Sequence, residues 1–199
     1  MFFDIYLFLA AFPAKRQICV MTEQNPDLAA MIRNIPDYPK PGIMFRDIST
    51  LLLDGPGFRA TIGRLAALVS PDTSLIAGIE ARGFIVSAAL SYAIGLGKLM
   101  LRKPGKLPGE TIGMDYALEY GTDRIEMHVD HVRPGQKVLL VDDLIATGGT
   151  AMAGVELIRR AGGIVSQALF IIDLTDLGGA AKLQSDGVEV QSLISFDGD

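Results

Sequence analysis

The sequence predicts an α/β fold, a mainly parallel twisted sheet with helices on both faces. Three observations carry this reading. Short apolar runs alternate with stretches whose apolar residues recur at helical spacing, the strand–helix–strand order of a parallel sheet. The most buried-looking run, Val138–Val141, leads at once into two carboxylates and a glycine-rich turn, as at the ligand-binding edge of such a sheet. At 199 residues, with no internal repeat, low-complexity tract or linker after Met21, the chain suits one domain.

The elements follow in order. Met1–Phe12 (MFFDIYLFLAAF) is strongly apolar, yet it has no basic flank before it, carries Asp4 inside it and has Lys15 and Arg16 after it, unlike a secretory signal. It is also shorter than a membrane-spanning helix requires. From Met21 the chain reads as polar, then amphipathic. Residues 1–20 are expected to be a non-essential extension and 21–199 a single domain with no membrane partner. Asn25-Pro26-Asp27 predicts the cap of a short helix running to Arg33. Pro36, Pro39, Pro41 and Gly42 then impose an extended, turn-rich stretch that ends in Ile43-Met44-Phe45-Arg46-Asp47.

Phe58, Ile62, Leu65 and Val69 predict an amphipathic helix over Gly57–Val69. Leu75–Ile79 predicts a short strand that runs into Glu80-Ala81-Arg82-Gly83 and an apolar helix to Ile94, and Lys98–Arg102 predicts another strand. Lys103–Asp115 is rich in proline, glycine and charge and predicts a long exposed loop. Tyr116–Tyr120 and Arg124–His128 alternate apolar and polar residues, as a two-stranded ribbon would. After Val138–Val141, a helix is expected with Ala151, Val155 and Ile158 on one face. Ile164–Ile172 and Val188–Ile194 supply the closing strands.

Charge and composition narrow the function. A net charge of −5 argues against a general nucleic-acid or anionic-membrane binder, whose footprint is basic. It leaves room for an anionic small substrate, which backbone N–H groups and a few cations can hold. The single cysteine, Cys19, excludes an intrachain disulfide or a thiolate metal cluster, and a cytoplasmic location is expected. His128 and His131 have no further ligand at metal spacing and read as surface residues.

The chemistry concentrates in Val138–Thr150 (VLLVDDLIATGGT). Asp142 and Asp143 stand at the C-terminal end of the expected strand, and Ala146-Thr147-Gly148-Gly149-Thr150 leads into the next helix. Glycines let the backbone wrap a ligand closely, the first helical N–H groups are unpaired donors, and Thr147 and Thr150 add hydroxyls. This pattern predicts a monophosphate cradle with carboxylates placed for ribose hydroxyls. No lysine follows the glycines and the spacing is not G-x-G-x-x-G, so it is neither a triphosphate loop nor a dinucleotide fingerprint.

At these residues the sequence resembles the type I phosphoribosyltransferases, and three further segments resemble the adenine-specific members. These are Ile35–Gly42 with Phe45-Arg46-Asp47-Ile48, Gly78-Ile79-Glu80-Ala81-Arg82-Gly83-Phe84, and Arg102–Pro108 together with Leu118-Glu119-Tyr120-Gly121. The resemblance implies a small N-terminal hood, a mobile loop and a homodimer. It implies transfer of ribosyl phosphate from phosphoribosyl pyrophosphate to adenine, giving AMP and pyrophosphate in purine salvage, with Mg²⁺ as cofactor.

Residue by residue, the resemblance implies that Met44 and Arg46 read the adenine edge through their backbone. Glu80 and Ala81, joined by a cis peptide, and Arg82 would bind pyrophosphate, and Lys103 and Lys106 would close over it. Glu119 would handle a proton at the purine's imidazole ring. Asp142 and Asp143 would hold the ribose and meet Mg²⁺ only through water, with no direct protein ligand to the metal. Alone, the two lysines also suit ordinary solubility charges, Arg82 suits a helix cap and Glu119 suits a solvated strand face. A phosphoribosyl-pyrophosphate sensor that binds nucleic acid would need a basic face or an added domain, and this acidic chain shows neither.

Overall fold

A computed structural model describes residues 25–117 and 121–197. The chain opens with α1 (Pro26–Ala29), β1 (Arg33–Ile35), β2 (Phe45–Asp47), α2 (Ser49–Leu53) and α3 (Gly55–Leu68). Then come β3 (Leu75–Ile79), α4 (Arg82–Ile94), β4 (Gly97–Leu101), β5 (Thr111–Ala117) and β6 (Thr122–His128). It finishes with β7 (Lys137–Ile145), α5 (Gly149–Arg160), β8 (Ile164–Leu174), α6 (Gly179–Ser185) and β9 (Glu189–Phe196). The expected extension, residues 1–20, lies outside the described residues.

Five parallel strands form the central sheet in the order β4-β3-β7-β8-β9. From β3 the chain moves outward to β4, then returns to the other side of β3 to lay down β7. The strand order therefore reverses between β3 and β7, and the loops leaving their C-terminal ends diverge there to leave a crevice. One face is covered by α3 and α4, where Leu65, Val86 and Leu90 pack on Ile76, Leu139 and Leu169. The other is covered by α5 and the β5–β6 ribbon, where Val155, Ile158 and Met127 pack on Ala77, Leu140 and Phe170. Each wholly buried side chain of this kind contributes about 1.5–3 kcal/mol.

The helix expected to reach Arg33 stops at Ala29. Pro36 disfavours helical backbone at Ile35, and Arg33 instead pairs with Asp47 across the antiparallel β1–β2 ribbon, its Nε donating to Oδ2 at 3.0 Å. Ser49 N–H caps the other carboxylate oxygen of Asp47, and Ser49 and Arg33 together lower that carboxyl to about 2. Helix α3 starts two residues earlier than its apolar spacing suggests because Asp54 accepts the Gly57 N–H at 2.6 Å, with Pro56 in the first turn.

Two boundaries near the site also move. The loop after β4 ends at Glu110 rather than Asp115, because Thr111–Ala117 pairs antiparallel with Thr122–His128. Strand β7 continues past the expected Val141 end through Ile145, so Asp142 and Asp143 lie within its last pleats, Asp142 opposite Phe170 of β8. Helices α2 and α6 each bury one leucine, Leu51 and Leu183, which leaves no helical period to read. Among the described residues, no helix is long and apolar enough to cross a membrane.

Candidate active site

The crevice between β3 and β7 holds a cavity of about 400 Å³, within the range of small-molecule sites. Its walls bring together Glu80, Ala81, Arg82, Lys103, Asp142, Asp143, Ala146, Thr147, Gly148, Gly149 and Thr150. Lys106 is exposed and, with Met44 and Arg46, is not among the lining residues. Glu119 falls outside the described residues.

The turn from β7 into α5 works as a cradle for concrete reasons. Gly148 has φ +74°, which a side chain would strain, and α5 begins with no side-chain cap. The first intrahelical bond there runs from Met152 N–H to the Gly148 carbonyl at 2.9 Å, leaving the preceding N–H groups as donors at the positive end of the helix dipole. Thr147 is exposed and Thr150 half-buried beside them. Unpaired N–H groups at such a helix start can accept an anion of phosphate size.

Behind the cradle lie the two acids. Asp142 Oδ1 accepts its neighbour's N–H at 2.9 Å and abuts the N-terminus of α4, where a Cβ on Gly83 would sit 3.1 Å from Asp142 Cγ. Part of Asp142 opens on the cavity, yet burial of its carboxyl, followed by the adjacent Asp143 charge, holds its pKa well above the ordinary 3.8. Asp143 is buried, and Arg82 Nε lies 2.8 Å from its Oδ2 as an ion pair without hydrogen-bond alignment. In this arrangement Arg82 serves Asp143, and an incoming anion must compete for it.

The opposite wall is the turn after β3. Its Glu80–Ala81 peptide is cis, the bond at which the family resemblance implies one. The Glu80 carboxylate points away to a forked pair with Arg102, at 3.0 and 3.2 Å, and also accepts the Lys103 N–H at 3.0 Å. Arg102, then the Lys103 amide, lower the Glu80 pKa. Glu80 thus ties the turn to the start of the loop and leaves backbone to face the cavity. Lys103 reaches the rim while bound to Asp123 and, at 3.0 Å, to the Tyr116 hydroxyl. Burial opposes its charge, but those two partners outweigh burial and raise its pKa.

Sequence reasoning assigned no role to Arg102, Asp123 or Tyr116. Arg102 stood within a quoted motif, but nothing in the spacing links it to Glu80. The β5–β6 pairing, with Tyr116 opposite Asp123, is what creates the lysine's partners. Beside Arg82, Phe45 stacks edge-on with Tyr38 at 5.2 Å and lies 5.4 Å from the Arg82 guanidinium. Arg46 donates to Asn34 Oδ1 at 2.9 Å and covers the Phe196 ring, which sets the β1–β2 ribbon at the carboxyl edge of the sheet. His131 is exposed, while His128 is half-buried with Nε2 2.8 Å from the Pro108 carbonyl oxygen.

The buried acid pair has a measurable consequence. Because folding raises the Asp142 pKa, the native state holds that proton more tightly than the unfolded chain. Its stabilising effect is present at low pH and is lost as pH rises from about 3.8 through the folded value. Asp142→Asn should therefore raise the melting temperature of the ligand-free protein at pH 7, by about 2–4 °C for each kcal/mol that the buried charge costs. Thermal melts across pH check this, and an unchanged or lower melting temperature would refute the raised Asp142 pKa.

Comparison with known proteins agrees with this geometry. The family described as "Phosphoribosyl transferase domain" matches residues 50–194. The adenine phosphoribosyltransferase of Erythrobacter litoralis is 57% identical over 175 residues, covering 86% of this chain and 97% of that protein. A crystal structure of the enzyme from Thermoanaerobacter pseudethanolicus superposes with TM-score 0.83 at 48% identity, over 86% of this chain and 99% of that one. The Saccharomyces cerevisiae enzyme, solved with adenine and an imino-altritol bisphosphate, gives TM-score 0.78 at 32% identity, over 85% and 97%. Sharing fold and sequence with these proteins along nearly their whole length, the chain belongs to the adenine phosphoribosyltransferase family.

Proposed function

We infer that the enzyme transfers the ribosyl phosphate of phosphoribosyl pyrophosphate to adenine, releasing AMP and pyrophosphate. The observation that carries this is the pairing of an uncapped Gly-Gly-Thr cradle with a carboxylate pair, facing a second anion-binding turn across one crevice. The cradle takes the 5-phosphate, Asp142 and Asp143 take the ribose hydroxyls, and the Ala81–Arg82 backbone with Lys103 takes the pyrophosphate. The yeast relative was solved with adenine and a bisphosphate bound, which supports a base and a phosphorylated sugar analogue as the classes of ligand.

In the reaction the bond from the anomeric carbon to the pyrophosphate oxygen breaks, and the pyrophosphate leaves with the electron pair. A nitrogen of the adenine imidazole ring forms the new bond to that carbon and its proton is lost, for which Glu119 is the assigned acceptor. The sugar passes through an oxocarbenium-like state, so the two acids place negative potential where positive charge grows. Arg82 and Lys103 balance the departing anion, and Lys106 joins them when the 103–110 loop closes and excludes water.

The donor set fits a Mg²⁺ ion carried in by the substrate. Asp142 and Asp143 both line the cavity, and Asp143 Oδ2, ion-paired with Arg82, accepts no hydrogen bond. Asp142 and Asp143 would hold the ion through its waters, and the ion would neutralise pyrophosphate charge.

A homodimer and a cytoplasmic location complete the reading. Ile85 and Tyr92, two turns apart on one face of α4 and both exposed, offer an apolar surface for a second copy. Assay of product with adenine, hypoxanthine, guanine and orotate, with and without Mg²⁺, tests the proposal. AMP from adenine, dependent on Mg²⁺, is expected. Equal turnover of another base would refute the choice of adenine.

A further inference from the structure

Gly178 and Gly179 follow one another at the start of α6, yet they are glycines for different reasons. Gly178 has φ +69°, and a Cβ there would meet nothing within 4 Å. Gly179 has no such backbone requirement. A Cβ on it would fall well inside contact distance of the Ala146 carbonyl oxygen, 2.7 Å from Gly148 N and 2.9 Å from Ile145 Cγ1. Its own N–H donates to the Ala146 carbonyl at 3.0 Å. In return, a Cβ on Gly148 would meet Gly179 Cα and O at 3.0 Å. Two stretches of bare backbone, distant in sequence, are pressed together directly behind the cradle.

The outer stretch is itself anchored. Thr175 Oγ1 donates towards the Phe196 carbonyl at 3.3 Å and Asp197 Oδ1 at 3.1 Å, at the end of β9. Leu183 of α6 is wholly buried in the core beneath α5. The turn that presents the cradle's N–H groups therefore rests on a fixed support and is not shaped by its own residues alone.

We propose that Gly179 is a positioning residue for the phosphoryl group, setting the Ala146–Gly148 backbone by close approach and by its N–H bond to Ala146. This rests on the reading of that turn as the 5-phosphate cradle. Displacing a reacting group's anchor by about 1 Å costs as much as 10²-fold, and any side chain at Gly179 must push this backbone by a shift of that order.

Gly179→Ala should weaken ribose 5-phosphate and AMP binding by roughly 10–100-fold and raise the KM for phosphoribosyl pyrophosphate similarly, with a smaller change in kcat. Gly178→Ala supplies the control, since it introduces backbone strain without touching the cradle. It should lower the melting temperature and leave ribose 5-phosphate affinity within twofold. A folded Gly179→Ala enzyme with ribose 5-phosphate affinity within twofold of wild type would overturn the proposal. So would an equal loss of affinity in Gly178→Ala.

Should Gly179→Ala fail to fold, hydrogen exchange on the wild-type enzyme decides. Ribose 5-phosphate should slow exchange of the Gly179 amide by reciprocal coupling, and unchanged exchange would overturn the proposal. Wild-type protein that does not bind ribose 5-phosphate would instead remove the cradle reading on which the proposal stands.

Discussion

Gly148→Val is expected to reduce AMP affinity more than 100-fold in a protein that still folds. Two costs converge at this position. The native φ of +74° is one that a β-branched residue rarely adopts, and left-handed backbone costs about 1–2 kcal/mol for any L side chain. The new side chain would also start 3.0 Å from the backbone of Gly179, which cannot swing aside as a side-chain tip could. The chain relieves both by turning Gly148 and Gly149, and that rotates the donor N–H groups off the phosphate.

Losing two charge-assisted hydrogen bonds at about 1.5–3 kcal/mol each accounts for a hundredfold or more. The sheet itself should survive, because β7 and α5 bury their apolar faces away from this turn. Titration calorimetry with AMP, alongside a thermal melt, is the measurement. Unchanged affinity in a folded variant would dismiss the cradle.

Glu119→Gln should lower the chemical rate by roughly 10²–10⁴-fold, the range for a positioned acid or base. Glutamine keeps the size and most of the hydrogen-bonding capacity of glutamate but cannot accept the purine's proton. The KM for phosphoribosyl pyrophosphate should change little, since the anchors proposed for it, Arg82, Lys103 and Ala146–Thr150, line the cavity from other elements. Single-turnover measurements separate chemistry from product release. A near-wild-type single-turnover rate would return Glu119 to the role of a solvated charge on a strand.

Some of the structure required no partner beyond the local chain. Leu75–Ile79 pairs as the strand its apolar run predicts, and Ala151, Val155 and Ile158 are buried on α5 together with Ala153, Gly154 and Leu157. The strand–turn–helix unit that lines the cavity was legible because its parts are contiguous: strand, two acids, glycines and helix start succeed one another within thirteen residues, Val138–Thr150. The family itself was legible for the same reason, as four short segments in a fixed order.

What only the tertiary structure decided are relations between segments far apart in sequence. Arg33 leaves a helical tendency for a ribbon because Asp47 offers it a partner, and Thr111–Asp115 leaves the loop because β6 pairs with it. The state of each charged group depends on such neighbours. Lys103 is held by Asp123 and Tyr116, Glu80 by Arg102, and Arg82 by Asp143. Gly179 is pressed on Gly148 by the way α6 docks beneath α5. Local order is written in nearest-neighbour propensity and periodicity, which a sequence displays. The pKa of a carboxyl and the room beside a glycine depend on which chains fold back upon it, and only packing sets those distances.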